Sequence, residues 1–297
     1  MEIISASNYK HQFEKLITDT IISDLEFESA VQDLIFQTPI AMNKMAIPFV
    51  VRTSVLGRNE ICSNISRCSY VPDSLKDNIP KQRCNFEGQQ VFYATIPGGM
   101  TNFSDAAQPA LLETTMQKII DDPTFDSRLA AVSRWQIIEQ PLFWFLANNI
   151  DSVKYNENFK FLFEQTNSFL KENSPVIEFQ NFTERLDYLS QLFCRNSNKQ
   201  EIYKVTEAFY NGVMRTFKPF DKLFDALIYP SANTYGEGMN IVLRKEYINN
   251  KNIYCDLVVL YVIIRNAKNS KDIRFESFAE AKPDELGNLH FKPIEKN

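Results

Sequence analysis

Helix-like and strand-like apolar patterns follow one another in a definite order along this sequence, and that order restricts the fold class. Apolar residues recur at helical spacing through the first 37 residues, up to Pro39. Further helices are predicted over 106–120, 158–172, 183–195 and 199–217, and strands over 47–55, 91–95, 137–146 (interrupted at Pro141), 226–229, 239–243 and 256–264. Strands at both ends with helices between them indicate an α+β protein.

The chain shows no internal repeat, no low-complexity tract and no clear linker over its 297 residues. At about 150 residues per domain, this length allows one large domain or two small ones. The simplest account is a single domain over 1–297. It would carry a helical N-terminal extension over 1–40 and a largely helical insertion over 120–220.

Charge and apolar runs exclude several classes of partner. The net charge is −5, and no block of five or more like charges occurs, so nothing indicates nucleic acid or a membrane surface. The longest apolar run, 257–264, is far shorter than a membrane span. The first 37 residues lack the apolar segment of a signal peptide, and five irregularly spaced cysteines fit a reducing compartment. We therefore expect a cytoplasmic protein.

The residues that are scarce limit the chemistry. The only two histidines, His11 and His290, lie near the termini, which disfavours a Ser-His-Asp or Cys-His mechanism. No CxxC pair is present, so a zinc site is not expected. Eight glycines and the lack of GxxxxGK[ST] and GxGxxG patterns disfavour a P-loop or Rossmann enzyme. An enzyme with this sequence would have to work with Arg, Tyr, Glu and Ser.

Four segments present such residues in order along the chain. They are Phe49-Val50-Val51-Arg52; residues 83–93, with the pattern R-x-N-x-x-G-x-x-x-x-Y; Ala110-Leu111-Leu112-Glu113; and Ile228-Tyr229-Pro230-Ser231, followed by Gly236, Asn240 and Leu243. None of the four is specific alone. Their order, and their placement on predicted strand, helix and strand, is the informative observation.

Together these segments resemble the RES family, which is named for its Arg, Glu and Ser. The resemblance covers about residues 48–115 and 200–250. It implies an ADP-ribosyltransferase-like mixed sheet core, NAD⁺ as substrate and no metal. Many members of the family are toxins paired with an antitoxin protein. Their activities include NAD⁺ hydrolysis, NAD⁺ phosphorolysis and protein ADP-ribosylation.

The resemblance assigns NAD⁺-binding roles to three of these side chains. Arg52 and Arg83 would bind the pyrophosphate, because a guanidinium offers paired donors that match phosphate oxygens. Tyr93 would stack on the nicotinamide or adenine ring. The structural alternatives are an ion pair or a solvated surface position for each arginine. For Tyr93 the alternative is a core aromatic, since strands favour aromatic residues.

Glu113 is the expected catalytic carboxylate, with Arg83, Tyr93 and Ser231 completing the catalytic group. Cleavage of the nicotinamide–ribose bond develops positive charge at the sugar, which a carboxylate can stabilise. Ser231 would bind the nicotinamide amide or the ribose, and Asn85 and Asn240 would be supporting donors. The structural alternatives are a surface acid for Glu113 and a turn residue for Ser231.

Three functions stay open at this point. The first is an NAD⁺ glycohydrolase, phosphorylase or ADP-ribosyltransferase whose acceptor is water, phosphate or a protein. The second is an inactive relative that binds a nucleotide or a protein. It is suggested by the separation of 20 positions from Tyr93 to Glu113, a longer gap than in compact family members, with Pro97-Gly98-Gly99 inserted. A second departure from the family is Gln82, where the family usually has Gly. The third is a structural protein with an accidental match. The sequence leaves the oligomeric state open.

Overall fold

In the computed structural model the chain forms an α+β fold around one ten-stranded sheet. The structure describes residues 4–19, 21–40, 42–43, 45–96, 103–121, 127–146, 153, 157–195, 199–217, 223–231, 238–266 and 269–295. The helices are α1 (Ala6–Thr18), α2 (Asp24–Phe36), α3 (Phe103–Asp121), α4 (Glu157–Asn173), α5 (Val176–Cys194), α6 (Lys199–Thr216) and α7 (Lys245–Asn249). Two 3₁₀ helices, Ile65–Cys68 and Asp73–Asn78, lie in the connection before the third strand.

The strands are β1 (Met42–Asn43), β2 (Phe49–Val55), β3 (Val91–Ile96), β4 (Ser127–Ile137), β5 (Phe143–Phe145), β6 (Ala226–Pro230), β7 (Met239–Arg244), β8 (Ile253–Asn266), β9 (Asn269–Ala281) and β10 (Lys292–Pro293). Their order across the sheet is β1-β5-β6-β7-β3-β2-β4-β8-β9-β10. Among the described strands only β5 and β6 pair in parallel; the other neighbours are antiparallel. A mixed, mostly antiparallel sheet of this kind defines the fold class.

Most of the predicted elements are present, and the differences are as follows. The first 37 residues form two helices, because Ser23 starts a second one with a capping box to Glu26. The range 120–220 begins with two strands, β4 and β5, and its helices start at Glu157. The strand predicted over 137–146 is present only as the short β5. Strands β4 and β9 have no counterpart among the predictions, and neither do the short elements β1, α7 and β10. The Pro97-Gly98-Gly99 insertion and Gly236 lie outside the described residues.

A layer of four helices, α1, α2, α5 and α6, covers one face of the sheet at its β5–β6–β7–β3 end. Phe13 lies at the centre of this layer, with its ring centroid 5.0–5.8 Å from those of Tyr9, Phe209 and Tyr188. Gly212 allows α6 to approach α2 closely, since a Cβ there would collide with Ile35. The N-terminal helices are therefore part of the core.

Helix α3 lies on the same face, beside the helical layer, over β2, β4 and β8. Strand alternation places Val51 and Thr95 on this face, because the two residues are partners across β2 and β3. The opposite face carries a separate apolar cluster that includes Phe92 and Ile241. Residues 56–68, α4 and α7 supply the side chains that cover it. Both faces of the central strands are thus buried.

We expect Phe13→Ala to lower the free energy of unfolding by about 3–5 kcal/mol, because it leaves a cavity where three aromatic rings meet. Urea denaturation followed by circular dichroism measures this change. His11→Ala, on the exposed side of α1, is the control and should stay within about 0.5 kcal/mol of the wild type. Equal stabilities for the two variants would show that the N-terminal helices are peripheral.

Candidate functional site

The carboxylate of Glu113 is held by two side chains from the sheet. Its Oε1 accepts a hydrogen bond from Asn240 Nδ2 at 2.9 Å, and its Oε2 accepts a short one from Ser231 Oγ. Ser231 and Asn240 are almost fully buried, whereas Glu113 is partly exposed. We call Glu113, Ser231 and Asn240 the carboxylate cluster. It presents an acid with a defined orientation at the boundary between core and solvent.

The register of β6 and β7 brings the two donors together. Tyr229 of β6 is the partner of Asn240 of β7, and antiparallel partners project to the same face. Ser231 follows the end of β6, where its backbone N–H donates to the Gly238 carbonyl at 2.8 Å. Two positions beyond Tyr229, it projects to that same face.

Helix α3 supplies the carboxylate to this face. Its buried residues Ala107, Ala110 and Leu111 pack on the sheet. Glu113 lies at the edge of this packed surface, so its side chain can reach past β3 to the ends of β6 and β7. The helix therefore positions the acid, and the structure brings Glu113, Ser231 and Asn240 together.

Arg83 lies on the same side of the sheet, but its guanidinium is engaged within the protein. Nη1 donates to the Leu192 carbonyl at 3.3 Å and Nη2 to the Arg195 carbonyl at 3.1 Å. The guanidinium also lies over the ring of Tyr203, 5.3 Å from its centroid. A cation at the C-terminal end of α5 interacts favourably with the helix dipole and with its unsatisfied carbonyls. Arg83 thus holds the end of α5.

Cys194, a residue that the sequence did not suggest, interacts electrostatically with both Arg83 and Glu113. The pKa of its thiol is raised to about 12, mainly by burial; Arg83 lowers this pKa and Glu113 raises it. The thiol donates to the carbonyl of Pro230 at 3.2 Å, next to Ser231. Arg83 and Glu113 also act in opposite directions on the pKa of Tyr229. Arg83 and Glu113, two residues predicted for the site, therefore both lie near the end of β6.

Tyr93 and Asn85 tie the segment before β3 to the sheet. The Tyr93 hydroxyl accepts from the Cys84 backbone N–H at 2.9 Å and donates to Asn85 Oδ1 at 3.0 Å. Asn85 Nδ2 donates to the carbonyls of Pro80 and Phe86, each at 3.0 Å. Burial raises the Tyr93 pKa well above its usual value, so the phenol stays neutral. These two residues order the loop that carries Arg83.

Gly88 completes this loop. Its φ of +78° lies in the left-handed region, which glycine adopts without steric cost. Its N–H donates to the Ile79 carbonyl at 3.1 Å and closes the loop. The pattern R-x-N-x-x-G-x-x-x-x-Y thus has a local structural explanation.

Arg52 lies on the opposite face of the sheet from the carboxylate cluster. Its neighbour Val51 faces α3, so alternation directs Arg52 to the other side, where it lies over the ring of Phe92 at 5.1 Å. Nη1 donates to the Tyr93 carbonyl at 2.6 Å, and burial lowers the pKa of the guanidinium to about 10. The sheet separates Arg52 from Glu113, so Arg52 is not part of the candidate site.

Comparisons with protein-family models, with curated proteins and with solved structures find no match for this chain. None of the helices in the described ranges is long and apolar enough to cross a membrane. Within those same ranges, no group of three or more His, Cys, Asp or Glu side chains is placed to hold a metal ion.

Tyr93→Phe should destabilise the protein by about 1–3 kcal/mol, because it leaves the buried Cys84 N–H without its acceptor. Urea denaturation measures the effect. The control is Tyr70→Phe, whose hydroxyl contacts Asn249 at the surface and should matter by less than about 0.5 kcal/mol. A Tyr93→Phe protein as stable as the wild type would contradict the structural role assigned to this hydroxyl.

Proposed function

We propose that this protein is an NAD⁺-consuming enzyme that cleaves the nicotinamide–ribose bond, with Glu113 as its catalytic carboxylate. The observation that carries the proposal is the carboxylate cluster, in which two buried donors orient one partly exposed acid. Bond cleavage develops positive charge at the ribose, and a carboxylate that is already oriented stabilises that charge without reorganisation.

The leaving group explains why no histidine is needed. Nicotinamide departs as a neutral molecule once the bond to the ribose breaks, so no general acid has to protonate it. His11 and His290 are both exposed, and their positions outside the cluster agree with this chemistry. Glu113 would also orient the acceptor. Water, phosphate and a protein side chain all require the same first step, so the proposal covers a glycohydrolase, a phosphorylase and an ADP-ribosyltransferase.

The other candidate site residues have distinct roles in this proposal. Ser231 and Asn240 act as positioning residues that fix the Glu113 carboxylate, since both donate directly to it. Arg83 adds positive charge on the same side of the sheet, where the NAD⁺ pyrophosphate would bind. Tyr93 and Asn85 act indirectly, through the loop that they hold. We further propose an ADP-ribosyltransferase-like organisation of the sheet core.

The biological setting is proposed from the resemblance alone. An enzyme that depletes NAD⁺ in the cytoplasm is harmful to its own cell, so we propose that it acts as a toxin held in check by an antitoxin protein. The five free cysteines are compatible with a reducing compartment.

A second function is favoured by one specific observation. The guanidinium of Arg83 and the hydroxyl of Tyr93 both make hydrogen bonds within the protein. If those bonds persist in the presence of nucleotide, the chain would be an inactive relative that binds a nucleotide or a protein without turning NAD⁺ over.

The test is nicotinamide release from NAD⁺ by the purified protein. Glu113→Gln keeps the shape of the side chain but removes its charge, so we expect the rate to fall at least about 100-fold. Glu28→Gln, an exposed acid on α2, is the matched control and should retain full activity. Product masses with and without phosphate identify the acceptor. NAD⁺ binding without turnover would support the second function, and neither binding nor turnover would overturn both.

A double-mutant cycle tests the positioning role of Ser231 and Asn240. Each alanine variant should lower kcat by about tenfold with little change in KM, because the acid loses one of the hydrogen bonds that orient it. In the Glu113→Gln background neither alanine should lower kcat further, since all three residues act through one carboxylate. Additive losses would instead show that Ser231 or Asn240 contacts the substrate independently.

A further inference from the structure

Within the described ranges, the outer edge of strand β9 is unpaired over most of its length. On its inner side β9 pairs with β8 from Asn269 to Ala281. On its outer side the pairing with β10 involves only Ala279 and Glu280, and Ile294 N–H donates to the Phe278 carbonyl. No other described strand pairs with that edge, so 269–277 presents backbone donors and acceptors at the boundary of the sheet. Such an edge is a template for another strand.

The side chains of this open edge are divided between two environments. Ile273 and Phe275 pack against the cluster beneath α3, so they face the protein core. Arg274 and Glu276 alternate with them and are exposed on the opposite face. The edge therefore carries an apolar face and a charged face, and the two charges have opposite signs.

This arrangement is self-complementary under a two-fold axis. When two copies of β9 pair antiparallel about Phe275, residue 274 of each copy lies opposite residue 276 of the other. Arg274 then faces Glu276 twice, once on each side of the axis. Opposite charges at directly facing positions stabilise a strand pair, whereas like charges destabilise it. Homodimers are built on self-complementary contacts of this kind.

The apolar face fits the same arrangement. Phe275 of one copy would face Phe275 of the other, next to the clusters beneath the two α3 helices. Ile273 and Ser277 are the outermost partners in this register, and both lie within the open part of the edge. Strand β10, which covers Ala279 and Glu280, stays outside the paired segment. The two sheets can therefore join without displacing any described strand.

We propose that the chain forms a two-fold symmetric homodimer by antiparallel pairing of β9 with β9, in the register that sets Arg274 opposite Glu276. A five-residue strand pair is a small interface, so the dimer should dissociate at roughly micromolar concentration. The edge lies away from the carboxylate cluster, so the proposed dimer does not depend on the NAD⁺ chemistry.

Analytical ultracentrifugation of the full chain from low to high micromolar concentration tests the proposal. Arg274→Glu and Glu276→Arg should each weaken the dimer at least about tenfold, because each places like charges opposite one another at two positions. Glu285→Lys, an exposed charge reversal in a turn beyond β9, is the control and should dimerise like the wild type. Matching thermal melting curves would show that all three variants are folded.

Mixing the two charge-reversed variants gives the decisive result. In a heterodimer of Arg274→Glu with Glu276→Arg, both facing positions carry opposite charges again, so dimerisation should return to within about threefold of the wild type. Native mass spectrometry identifies the mixed species. A wild type that is monomeric at every concentration would overturn the proposal. So would a Glu276→Arg variant that dimerises normally, or a mixture that stays monomeric.

Discussion

The pairing of β3 with β7 in the middle of the sheet determines which side chains meet on each face. It aligns Thr95 with Asn240 and Phe92 with Leu243. Because side chains alternate along a strand, a shift of one residue would turn Asn240 away from α3. Glu113 would then lose one of its donors, and the buried polar group would face an apolar layer. The orientation of the acid therefore depends on this register.

The segment that holds Arg83 connects the sheet to the helical layer. Within it, Tyr93 and Asn85 fix the loop to β3, while the guanidinium of Arg83 binds the last carbonyls of α5. The helical layer thereby acquires a fixed position relative to the strand ends where Ser231 and Asn240 lie. The arginine that the sequence motif assigns to phosphate binding therefore has a structural role, because a positive charge stabilises the C-terminal end of a helix.

Local patterns predicted most elements because they depend on neighbours in the chain. Helices α3, α4 and α6 and strands β2, β3, β6 and β7 begin and end within a few residues of the predicted positions. Strands β4 and β9 were not predicted, because charged and small residues interrupt their apolar pattern. Their pairing with β8 on either side stabilises them, and such long-range pairing has no signature within either segment.

For the candidate site, the sequence singled out residues but not which of them lie together. The order and type of the residues singled out Glu113, Ser231 and Asn240, which lie up to 127 positions apart, and the structure brings these three together. Arg52 carries an equally suitable side chain, yet it lies on the far face. The position of Cys194 beside the site had no signal in the sequence, since a lone cysteine in a helical pattern is ordinary core.

Amino-acid order alone was enough to define an α+β chain and its main helices and strands, and to single out an acid, a serine and an asparagine that lie together in the structure. Tertiary structure alone decided which of the candidate side chains share a face, which guanidinium is used to hold a helix, and which strand edge stays open. The reason is that periodicity along a segment is a local property, whereas facing and pairing depend on the register between segments that are distant in the chain.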